Sequence, residues 1–110
     1  MAFDETLYRR IQGVLGDRTD VVDRKMFGGV CFPVGGNMAT GIIGGDLIVR
    51  VGPDRFAEAM ARPHTRVFDF TGRPMAGWVV VSPEGTGTDE ALAEWVGMGV
   101  AFASTLPAKR

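Results

Sequence analysis

A chain of 110 residues is long enough for one hydrophobic core and too short for two, so a single domain over 1–110 is expected. Its 45% hydrophobic and 23% charged residues are the balance of an ordinary globular protein, and a net charge of -1 argues against a strongly electrostatic nucleic-acid binder. One cysteine, Cys31, rules out an internal disulfide framework, and no apolar run approaches a membrane span.

The start of the chain, Met1-Ala2-Phe3-Asp4-Glu5, is acidic and has no apolar stretch of the kind a signal peptide needs. With the single thiol, this predicts a cytoplasmic protein. Phe3, Leu7, Ile11, Val14 and Leu15 recur at helical spacing, with Asp4 and Glu5 in the first turn and Gly16-Asp17 as a stop. From Met26 the texture turns strand-like. Gly35-Gly36-Asn37 and Gly44-Gly45-Asp46 sit between apolar runs and suit hairpin turns, predicting strands over 25–34, 38–43 and 47–51.

Gly52-Pro53-Asp54 opens a short helix whose buried face is Phe56, Ala59 and Met60, and Arg62-Pro63 ends it. Strands are expected over 67–70 and 77–82, and a turn at 83–87. Thr88 then caps a helix that carries Leu92, Trp95, Val96, Gly99, Phe102, Ala103 and Leu106 on one face and stops at Pro107. The order α-β-β-β-α-β-β-α predicts an α+β fold, a five-stranded antiparallel sheet with helices covering one face. Gly97 and Gly99 weaken a helix interior by about 1 kcal/mol each relative to Ala. Gly99 lies on the apolar face, where close packing on the sheet or on a second subunit explains it; Gly97 stays open.

The residues 68–78, Phe-Asp-Phe-Thr-Gly-Arg-Pro-Met-Ala-Gly-Trp, hold more specification than a solvent loop needs. Gly72, Pro74 and Gly77 read as shapers of a turn between two strands, and Asp69 as an acceptor within it. Catalytic sets are scarce. His64 is the only histidine and Cys31 the only thiol, so no multi-histidine or Cys-rich metal site can form, and no cofactor is expected. A Cys31–His64 nucleophilic pair can be written down. A buried, inert thiol in mid-strand is nevertheless the commoner case. No phosphate-binding glycine motif is present.

Of the 12 cations, only Lys25 and Lys109 are lysine; the rest are arginine, the side chain suited to bidentate oxyanion contacts. Arg24, Lys25, Arg50 and Arg73, with Asp69 and Trp78, are candidates for an anion or acidic-partner site if they converge on one sheet end. The alternative is ordinary ion pairing with Asp23, Asp46, Asp54 and Asp69. Trp78 is otherwise a core strand aromatic.

Lys25-Met26-Phe27-Gly28-Gly29, Gly36-Asn37-Met38, the run 47–53 and the stretch 69–78 occur together in an order that resembles the N-terminal domain of the TfoX/Sxy family. The resemblance covers nearly the whole chain, as in a stand-alone single-domain member. It implies the α-β3-α-β2-α arrangement likened to secretion-chaperone folds, and links to competence-gene regulation alongside the cyclic-AMP receptor protein. It brings no catalytic residues. The expectation is therefore a non-enzymatic regulatory or protein-interaction module, a homodimer with a transcription-factor or other protein partner and little direct DNA specificity. The alternative is a small-anion or nucleotide sensor built on the arginines. An enzyme using Cys31 or His64 ranks last.

Overall fold

The structure, a computed structural model, describes residues 3–26, 28–69, 72 and 75–108, with Met26 described by its backbone alone. Helix α1 (Glu5–Leu15) opens it. Asp4 lies outside the first turn as the cap: its carboxylate accepts from the amides of Thr6 and Leu7 at 2.9 and 3.1 Å, donors the helix leaves unpaired. Strands β1 (Arg24–Met26), β2 (Gly29–Val34), β3 (Asn37–Ile43) and β4 (Asp46–Arg50) follow. A 3-10 turn (Pro53–Arg55) leads into helix α2 (Phe56–Met60), then come strands β5 (Thr65–Val67) and β6 (Trp78–Val81). A second 3-10 turn (Pro83–Thr86) precedes helix α3 (Asp89–Ala103), capped by Thr88, whose hydroxyl accepts from Ala91 N–H at 3.1 Å.

The fold is α+β, and all pairings in the sheet are antiparallel, in the order β1-β2-β3-β4-β6-β5. Among the described residues there are six strands where five were expected. The run read as one strand over 25–34 is a hairpin: Met26 pairs with Gly29, and Gly28 takes φ 74° in the connection. A three-residue edge strand is too short for alternation to reveal it. Gly29 itself admits a close neighbour, since a β-carbon there would stand 2.1 Å from the Ile42 carbonyl oxygen.

Other boundaries move by a few residues. β5 begins at Thr65, directly after His64, because His64 makes the turn itself with φ 65°. Phe70, expected in this strand, lies outside the described residues. The last helix ends at Ala103; Thr105 and Leu106 then donate to the carbonyls of Phe102 and Ala103, so Leu106 belongs to a turn.

One face of the sheet presents Val30, Phe32, Ile42, Leu47, Val49, Val79 and Val81 to the helices, which contribute Leu7, Ile11, Leu15, Ala59, Leu92, Trp95 and Val96. Burial of this apolar set is the main favourable term in the fold. Helix α3 approaches so closely that a β-carbon on Gly99 would meet the Ala39 carbonyl oxygen at 2.2 Å, whereas Gly97 faces open space. On the other face, one register row runs Arg24, Cys31, Gly41, Ile48, Val80, Arg66. Cys31, Ile48 and Val80 are buried there too. Arg66 reaches diagonally across β6 to Asp46 at 2.9 Å.

Candidate binding site

The site lies at the sheet end where β4 finishes. Arg50 and Trp78 are register partners on neighbouring strands, so their side chains leave the same face. Beyond Arg50 the chain turns away through Val51 and Gly52, whose N–H groups both donate to the Gly77 carbonyl, at 2.8 and 3.1 Å. Gly52 has φ 85° and Gly77 φ 89°, a region glycine alone enters cheaply. The missing side chain of Gly52 also makes room for a ring: a β-carbon there would lie 2.4 Å from Phe102.

That ring completes an aromatic setting for Arg50. The guanidinium carbon is 5.2 Å from the Trp78 ring centroid and 5.1 Å from that of Phe102. Such contacts contribute about 0.5–1 kcal/mol when exposed and about 2 when desolvated. Arg50 is half-buried, and Phe68 supports Trp78 with ring centroids 6.0 Å apart.

Five other arginines reach a carboxylate: Arg10 to Asp89, Arg18 to Asp20, Arg55 to Glu58, Arg62 to Glu94 and Arg66 to Asp46. Arg50 has no carboxylate within 4.0 Å among the described residues, and none of the undescribed residues is Asp or Glu.

The structure thus brings Arg50 and Trp78 together and adds Phe102, which periodicity places only on a helix face. Arg24 and Lys25 stand on edge strand β1, three strand spacings from β4, roughly 14 Å away across the sheet. They do not converge with Arg50. Asp69 is exposed, and its carbonyl accepts from Gly72 N–H at 2.8 Å; Gly72 has φ 80°. Arg73 and Pro74 lie outside the described residues. Asp46 is engaged by Arg66, and Asp23 accepts from the Tyr8 hydroxyl at 2.5 Å, a bond that pushes the Tyr8 phenol above its usual value.

Cys31 and His64 are also far apart. Cys31 is on β2 and His64 at the start of β5, four strand spacings apart in the sheet, roughly 19 Å. Burial pushes the Cys31 thiol up, away from the thiolate that nucleophilic chemistry uses. Among the described residues no group of three or more His, Cys, Asp or Glu could hold a metal ion, and no helix is long and apolar enough to cross a membrane.

Comparison with curated proteins and with solved structures found no significant match. A family profile described as the TfoX N-terminal domain matches residues 14–103, which takes in the last two residues of α1, the whole sheet, α2 and α3. Arg50, Trp78 and Phe102 all fall inside that span, and the chain belongs to the TfoX N-terminal domain family.

Proposed function

We propose that this TfoX-type domain is a non-enzymatic protein-interaction module, and that its contact surface is centred on Arg50, Trp78 and Phe102. The observation that supports this reading is the grouping itself. Tryptophan and arginine are the residue types that dominate binding energy at the centre of interfaces, where apolar surface surrounds a few polar anchors. The regulatory role implied by the family resemblance fits a module that acts through a transcription-factor or other protein partner. Self-association into a homodimer is part of the same reading. Both edges of the sheet are three-residue strands bearing exposed cations, Arg24 and Lys25 on one and Arg66 on the other, which discourages edge-to-edge pairing. A dimer would therefore use a face.

Cross-linking in the native cell, with the linked residues mapped by mass spectrometry, tests the proposal. Links to one protein clustered around 50, 78 and 102 and lost in Trp78→Ala are expected. Links confined to α1 or β1 would move the interface elsewhere, and the mass in solution reads the dimer directly.

A second reading, a small-anion sensor, is favoured by the unpaired guanidinium of Arg50. Arg24 and Lys25 have no part in it. A rise in melting temperature with a small anion that disappears in Arg50→Gln, without any cross-linked protein, would select this reading over the first.

A further inference from the structure

We propose that Arg50 is a carboxylate receptor, and that the partner places an Asp or Glu side chain against its guanidinium between Trp78 and Phe102. This rests on the interaction reading above and names the chemistry the partner must bring.

The molecule contains its own comparison. Arg62 is also held against an aromatic ring, its guanidinium carbon 4.8 Å from the Trp95 centroid, and it completes the arrangement with Glu94 at 2.9 Å. Arg50 has the aromatic support twice over and lacks the carboxylate. Ring contacts restrict the rotamers of the side chain and shield its faces from water, but they leave the N–H edges of the guanidinium unsatisfied. An unpaired cation in a half-buried position carries a desolvation cost that an incoming anion offsets. A planar carboxylate matches that fork with two parallel bonds, and water is displaced by the flanking rings.

Among the described residues no acid fills the role. Asp46 is committed to Arg66 and Glu58 to Arg55, while Asp54 and Asp69 are exposed and lie outside ion-pair distance of Arg50. Phosphate suits the site less well. Phosphate cradles usually add backbone N–H donors. Here the Val51 and Gly52 N–H groups both point at the Gly77 carbonyl.

The test is selection of a random octapeptide display library on the immobilised full chain, paired with NMR titration of the Trp78 indole N–H. Selected peptides should share an Asp or Glu at one position and shift the Trp78 signal. Their affinity should fall roughly 10- to 100-fold in Arg50→Gln, the loss of one bidentate charge-assisted pair. Arg50→Lys keeps the charge and loses the fork, so it should recover only part of the binding; it also provides the reading if Arg50→Gln fails to fold.

Peptides that shift Trp78 but carry no acid, and bind Arg50→Gln equally, would overturn the carboxylate and leave the interaction module standing. Glutarate or acetate shifting Trp78 while selection returns no peptide would overturn the protein source and support the sensor. Phosphate or sulfate acting at lower concentration than the carboxylates would overturn the ligand class. No selected peptide and no shift with any of these anions would remove both readings.

Discussion

Gly77 lies against Gly52 so closely that a β-carbon on Gly77 would stand 3.1 Å from the Gly52 carbonyl carbon and 3.3 Å from the Pro53 nitrogen. This contact ties the end of the β5–β6 connection to the point where β4 turns toward α2. It holds Trp78 and Arg50 in register. Gly77→Ala meets both a backbone obstacle and a φ of 89°, so a loss of about 1–3 kcal/mol is expected. Urea unfolding measures it. The Trp78 indole signal should shift as well, because the ring is anchored one residue away; a variant of native stability with an unmoved indole would contradict the arrangement.

The two glycines of α3 should respond in opposite directions. Gly99→Ala drives a β-carbon into the Ala39 carbonyl oxygen, a backbone atom that cannot swing aside. A loss of about 3 kcal/mol or failure to fold is expected, at the upper end of overpacking. Gly97→Ala meets open solvent and should stabilise the helix by up to about 1 kcal/mol. Equal melting temperatures for the two variants would refute the close approach of α3 to β3.

His64 makes its turn with φ 65°, a conformation that costs an ordinary residue about 1–2 kcal/mol. It is exposed, and its carbonyl accepts from Ser82 N–H at 2.9 Å, so the backbone there is held. His64→Gly should keep or raise stability, and His64→Val should lower it by about 1 kcal/mol or more. Thermal unfolding of the pair decides this. A valine variant as stable as the glycine one would show that the turn relaxes.

Burial raises the Cys31 thiol above its ordinary value of 9.0. Because the folded value exceeds the unfolded one, this group costs the native state nothing below the ordinary thiol range and destabilises it as pH climbs through that range. Stability should therefore decline above about pH 9 more steeply than in Cys31→Ala. Alkylation of the native protein near pH 8 should be slower than in urea by about a hundredfold or more, as for a thiol reached only through opening. Rapid native labelling would contradict its burial.

The element order, the hairpin glycines, the Thr88 cap and the inward role of Gly99 were legible in the residues themselves. Each depends on local chemistry: turn conformations that need glycine, a side-chain oxygen able to accept from a free helix amide, or an apolar stripe at helical period. The split of 25–34 into two strands was less visible, because a three-residue edge strand shows no alternation and only its partner defines it. The candidate site followed the same division. Trp78 and Arg50 stood out by type, but side-chain type alone did not say which cations share a sheet end.

The antiparallel order decided that by placing β1 and β4 three strands apart, which separates Arg24 and Lys25 from Arg50. The same order separates Cys31 from His64. Phe102 joined the site only because α3 crosses the sheet above Gly52, a long-range packing event with no signature in spacing. Composition and periodicity thus determined the α+β class and most of the order of its helices and strands. Only the tertiary structure determined that one guanidinium would end between two rings without a carboxylate, because pairing between side chains depends on strand neighbours distant in sequence.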